Sequence, residues 1–116
     1  MSFWSALKEV TRARGRANEA RALAAAKKLS HSWMRGVRAG TQAEDKEGID
    51  IVVSSDVGEL FIQVKSSVAG RDRFLEKSRK KHIEVVVANC TDDELKKRID
   101  AAINRARERV IAKRKR

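Results

Sequence analysis

Residues 48–67, GIDIVVSSDVGELFIQVKSS, constrain the fold more than any other stretch of the chain. Two runs in which apolar and polar residues alternate flank a short turn, the pattern of a β-hairpin. On the first run Ile49, Ile51 and Val53 are expected on one face, with Asp50 and Val52 on the other. On the second, Leu60, Ile62 and Val64 share a face opposite Phe61, Gln63 and Lys65. Strand side chains alternate, so Gln63 and Lys65 project from the same side. A turn at Asp56-Val57 sets Asp50 opposite Gln63, and one at Val57-Gly58 sets it opposite Lys65. Both leave the three polar groups on one face, because a two-residue slip preserves facing. A carboxylate, an amide and an ammonium then converge on strands otherwise built for burial. They read either as the polar outer face of a half-solvated hairpin or as a metal site with a lysine beside it.

Around the hairpin the chain alternates helical and extended patterns. Ser2 to Leu29 reads as helix, with Gly15 expected to divide a short leading segment from a stronger helix starting near Arg16. In the second part Ala20, Leu23, Ala24 and Ala26 form a narrow stripe of small residues suited to close packing on a sheet, with Glu19 at its rim. Ser30 to Ala39 reads as a short strand with Trp33 and Val37 turned inward and Arg35 and Arg38 outward; His31, near an element boundary, reads as a surface or capping residue. Arg71 to Lys81 reads as a short, strongly basic helix contacting the body through Phe74 and Leu75. Ile83 to Ala88 is a nearly continuous β-branched run, as in a strand covered on both faces. Thr91 with Glu94 makes a capping box for a last helix, in which Leu95, Ile99, Ala102, Ile103, Ala106 and Val110 keep helical spacing. The final dozen residues are basic and are expected to be a frayed, solvated tail.

At 116 residues the chain is expected to be one domain, with a core over about residues 16–104 and a basic tail over about 105–116. Its net charge of +11 points to a polyanionic partner. With 4% aromatic residues, phosphate contact is a better source of affinity than base stacking. Arg35, Arg38, Arg71, Arg73, Lys77, Lys80, Lys81, Arg105 and Arg109 are the candidate phosphate contacts. A lone Cys90 and no Cys/His cluster argue against a disulfide or zinc framework, and no apolar run is long enough to span a membrane. The expected location is cytoplasmic, associated with the nucleoid when bound to DNA. Against this basic background, residues 41–60 hold Glu44, Asp45, Glu47, Asp50, Asp56 and Glu59 with a single base, Lys46. Carboxylates facing phosphate repel it unless a divalent cation lies between them.

The order helix, strand, strand, strand, helix, strand, helix makes a mixed sheet with helices on its faces, an α/β sandwich. With an acid opening the second strand and a Gln63-Val64-Lys65 triplet on the third, the chain resembles the PD-(D/E)xK nuclease superfamily. That likeness runs over about Arg16 to Asn89 and implies a restriction endonuclease-like αβββαβ core with a long basic C-terminal helix. The matching residues are Gly48-Ile49-Asp50, then Gln63-Val64-Lys65, with Glu19 where that superfamily often carries a supporting glutamate. Gln63 departs from the usual acid and is similar to the QxK form of Mrr-type nucleases. The size is similar to that of archaeal Holliday-junction resolvases, which act as dimers.

The resemblance implies a Mg²⁺ or Mn²⁺ ion held by Asp50, the Gln63 amide oxygen and the Val64 carbonyl. Lys65 would orient the attacking water and stabilise charge at the scissile phosphate, and Glu19 would hold a metal-bound water. Asp45 or Glu44, just before the hairpin, could restore the charge that Gln63 lacks. The implied activity is metal-dependent hydrolysis of DNA, structure-selective or partner-recruited, with RNA also admissible and a homodimer possible. Two other readings stand beside it. One is a nuclease-fold protein that binds nucleic acid without cutting; the other is a small basic protein that binds a protein partner through its C-terminal helix.

Overall fold

The computed structural model describes residues 2–78 and 82–115. It has eight elements: α1 (Phe3–Lys27), β1 (Met34–Ala39), α2 (Gln42–Lys46), β2 (Ile51–Ser55), β3 (Gly58–Lys65), α3 (Val68–Lys77), β4 (Ile83–Val87) and α4 (Asp92–Arg114). The strands form one mixed sheet in the order β1-β2-β3-β4. The first three are antiparallel, and β4 joins β3 in parallel after the α3 crossover. The α/β class, the mixed sheet with helices on its faces and the long C-terminal helix are as the sequence implies.

The hairpin turns at Asp56-Val57, because Ser55 pairs with Gly58 and Ile51 with Ile62. The regular register ends there: the Asp50 N–H also donates to Ile62 O, so Asp50 and Ile51 both meet Ile62 and the expected pairing of Asp50 with Gln63 is not made. One face of the sheet carries Ile51, Val53, Leu60, Ile62, Val64 and Val86, covered by Ala22, Ala25 and Ala26 of α1 and by Leu95, Ile99, Ala102, Ile103 and Ala106 of α4. Alanines let the α1 backbone approach the sheet closely, while the branched residues of α4 fill the remaining depth. The other face is smaller: Ile49, Val52 and Ile83 pack with Phe61 and with Phe74 of α3.

Several expectations change. Helix α1 runs unbroken through Gly15; a glycine in a helix interior costs only about 1 kcal/mol, which the surrounding Ala, Leu, Arg and Glu residues absorb. Strand β1 is shorter than Ser30 to Ala39, and the unforeseen α2 lies between it and β2. The Thr41–Glu44 capping box sets α2 up, with Thr41 Oγ1 accepting from Glu44 N and Glu44 Oε1 accepting from Thr41 N. Ile49 does not share the face of Ile51 and Val53. It precedes the strand, where its N–H donates to Glu44 O, and its side chain joins the α3 face. Helix α3 starts and ends earlier than Arg71 to Lys81; Lys80 and Lys81 lie outside the described residues.

The basic tail is not frayed up to Arg114: α4 stays helical and docked. Arg107 pairs with Asp56 at 2.7 Å, Arg105 and Arg109 pair with the buried Glu84 of β4, and Arg114 donates to Val57 O at 3.0 Å. Its apolar face is spent on its own sheet. His31 is paired with Asp100 at 2.5 Å and stacked on Trp33. No helix among the described residues is long and apolar enough to cross a membrane.

Candidate metal centre

Asp50 sits where β2 begins, and its backbone is held from both sides. Its N–H donates to Ile62 O at 2.9 Å, and its carbonyl accepts from Gly40 N–H at 2.8 Å. Gly40 makes that approach possible, since a Cβ there would lie 2.2 Å from Ile49 O. The side chain is buried, and Oδ2 accepts from the Val64 N–H at 2.8 Å. A residue's N–H and C=O leave a strand on the same side, so the Val64 carbonyl also turns toward the Asp50 side. It accepts a long 3.4 Å bond from Gln63 Nε2.

Two further carboxylates join Asp50. Glu19 reaches it from α1, which is clamped by Arg21: that guanidinium bonds Asn18 Oδ1, Ala88 O, Cys90 O and Asp92. Asp45 reaches it from α2. Oxygens of Glu19, Asp45 and Asp50 all lie within 4.8 Å of one another. Burial, above all, pushes the Asp50 carboxyl up to about 7, with Glu19 and Asp45 adding to the rise and the Val64 N–H opposing it. Burial and the charge of Asp45 also raise Glu19, while Lys65 and Arg16 pull it down. Three converging carboxylates, with the proton affinity of Asp50 and Glu19 raised, form a site that a cation would relax.

Glu44 takes no part. Its hydrogen bond to Arg38, aided by the Thr41 backbone, lowers its carboxyl to about 2. Of the two acids placed by sequence near the hairpin, only Asp45 joins the cluster.

Gln63 is 7% exposed, and its Oε1 is the one buried side-chain polar atom without a hydrogen-bond partner among the described residues. An unmet acceptor of this kind fits a cation or a bound water. It lies near Gly48, where φ is +88° and a Cβ would stand 2.6 Å from Phe74 Cε2 and 3.3 Å from Gln63 Oε1. Glycine is therefore required there twice, for the left-handed backbone and for the space. Lys65 Nζ sits 5.3 Å from the centroid of the same Phe74 ring, a cation–π contact that fixes the ammonium beside the amide.

Two clefts meet at this cluster. A smaller one of about 500 Å³ is lined by Arg16, Glu19, Asp45 and Asp50; a larger one of about 860 Å³ is lined by Asp45, Gln63, Lys65, Arg73, Phe74 and Lys77. Asp45 borders both. Among the candidate phosphate contacts, Arg73 and Lys77 thus share a cleft with Lys65. Arg38 is bound to Glu44, Arg71 to Asp72, and Arg105 and Arg109 to Glu84 on the sheet's other face. Arg35 is exposed on β1 and close enough to Asp56 to help lower its carboxyl. No described helix or loop brings His31 or His82 to the cluster: His31 is bound to Asp100 and His82 rests on Phe61.

Of the residues singled out by sequence, Asp50 and Glu19 meet in the carboxylate cluster, joined by Asp45, which the sequence offers only as an alternative to Glu44; Gln63 and Lys65 line the adjoining cleft. The sequence signal for Asp45 is the acidic run; the signal that sets Glu44 apart is the Thr41-x-x-Glu44 capping box. No protein-family model, curated protein or solved structure matches the chain.

Proposed function

We propose that this protein is a divalent-cation-dependent nuclease that hydrolyses DNA phosphodiester bonds, of the PD-(D/E)xK kind, acting on structured DNA or through recruitment by a partner. The observation that carries this reading is the meeting of Glu19, Asp45 and Asp50 within 4.8 Å, at the wall between two clefts and next to Lys65, in a protein of net charge +11. A basic protein gains nothing electrostatically from three converging carboxylates on a phosphate-binding surface unless a cation bridges them. Asp50, Asp45 and Glu19 are the anionic ligands in this proposal, with the Gln63 amide oxygen and Val64 carbonyl as neutral ones. Hard oxygen donors of this type suit Mg²⁺ or Mn²⁺.

When bound, the cation supplies Lewis-acid polarisation of the phosphoryl oxygen and a more acidic water. The chain's own groups do the rest. Lys65, held on Phe74, orients the attacking water and takes up negative charge at the phosphate. Arg73 and Lys77 draw the sugar-phosphate backbone along the larger cleft, and Arg16 does so along the smaller one. Asp45 supplies the charge that an amide at position 63 withholds.

The test is cleavage of supercoiled, linear and branched DNA, and of RNA, with Mg²⁺ or Mn²⁺. Cutting should require the metal and should vanish in Asp50→Ala and Lys65→Ala while DNA binding persists. A protein that retards DNA near ~100 mM salt yet cuts none of these forms with either metal would leave the binding-only reading in place.

A further inference from the structure

The two edges of the sheet are treated differently. At β1 the register is broken by a bulge between Met34 and Gly36, and the exposed Arg35 and Arg38 stand on it. Bulges and charges of this kind discourage a further strand. Strand β4, at the other edge, is regular throughout Ile83–Val87 and rich in β-branched residues. Its Ala88 N–H donates inward to Lys65 O, so the N–H and C=O groups of Ile83, Val85 and Val87 alternate outward. The outward carbonyl of Val87 already draws a donor, Arg98 Nη1 at 2.7 Å.

Two grooves of about 340 Å³ each run along this edge, and both contain Val85 and Arg71. Their walls differ in chemistry. On the α3 side stand Val68 and Leu75, which are 46% and 54% exposed, with Arg71, paired to Asp72, between them. On the α4 side stand Arg98 and Arg105. A strand laid on β4 would send alternate side chains to these two walls.

We infer that the β4 edge is a docking site for an extended segment of a partner protein in which apolar and acidic residues alternate. Its backbone pairs with Val85, its apolar residues meet Val68 and Leu75, and its carboxylates meet the outer guanidinium edges of Arg98 and Arg105, which keep their bonds to Val87 O and Glu84. Backbone pairing gives affinity and the two walls give specificity, as in other strand-addition complexes. A second copy of this chain is the wrong occupant on charge, since it would bring the same arginines to a shared edge. The site lies on the far side of the sheet edge from Asp45 and Asp50, so it stands independently of the nuclease reading.

An alternating Glu/Val octapeptide, a peptide of the same composition with the glutamates and valines in separate blocks, and a ten-nucleotide oligo-dT are the probes. Affinity is read by fluorescence anisotropy, and amide hydrogen exchange is read at Val85 and Val87. The alternating peptide should bind at least about tenfold more tightly than the block peptide and should slow exchange at both amides. Arg98→Gln/Arg105→Gln should weaken it about tenfold or more, and Val85→Pro, which removes an outward donor where an edge tolerates proline, should abolish protection. Should Val85→Pro fail to fold, the arginine pair decides. Equal binding of the two peptides, binding without amide protection, protection by oligo-dT but not by peptide, or a dimer strengthened by the arginine substitutions would each overturn the inference.

Discussion

The Val64 N–H, near the end of β3, donates to Asp50 Oδ2 at 2.8 Å and so aims a β2 carboxylate past the hairpin ladder at Asp45 and Glu19. This one bond couples the register of the hairpin to the geometry of the site. A slip of one residue would carry Asp50 away from this donor and from Glu19.

Asp50→Asn should stabilise the metal-free protein at pH 8 while abolishing divalent-cation binding. The carboxyl titrates near 7 in the fold against an ordinary 3.8, so between these values the folded state holds more protons than the unfolded one. Stability therefore falls as pH rises from about 4 to 7 and levels off above, a loss on the order of 1–4 kcal/mol. Thermal melts at pH 5 and pH 8 should show the pH dependence shrink in the variant.

Cation affinity should rise with pH through the same window, because metal and proton compete for the cluster. Calorimetric titration with Mn²⁺ at pH 6 and pH 8 measures this. Affinity that does not change between the two would place the ion elsewhere.

Asp45→Asn and Glu44→Gln separate two neighbouring acids. Asp45→Asn should weaken Mn²⁺ binding about tenfold or more. Glu44→Gln should leave it unchanged and lower the melting temperature instead, since Glu44 serves the Thr41 cap and Arg38.

Gln63→Glu should tighten the cation and lower the stability of the metal-free protein at pH 8. A fourth carboxylate would enter a cluster whose members already repel. An unchanged cation affinity would put the amide outside the coordination shell.

Truncation after Asn104 should cost several degrees of melting temperature and should not merely trim a solvated tail. The removed segment includes the buried Ala106, the partly buried Val110 and both arginines on Glu84. Losing the partners of a buried carboxylate leaves its desolvation uncompensated.

The hairpin, the faces of Gln63 and Lys65, the last helix and the alternation that makes an α/β sheet were all readable from the chain, because each rests on local periodicity or a local cap. Choice of turn was not: Asp56-Val57 and Val57-Gly58 are both acceptable locally, and only packing of Ile51 against Ile62 and of Val53 against Leu60 selects between them. Gly15 and the basic tail depart from local expectation for the same reason. Intrinsic propensity argues for a break and for fraying, whereas the helix-forming neighbours of Gly15 and the Asp56, Glu84 and Val57 partners of α4 override it. The union of Glu19, Asp45 and Asp50 belongs wholly to tertiary structure. Those carboxylates come from three elements, and their mutual distance is set by how α1 and α2 settle on the sheet, a quantity that no spacing along the chain encodes.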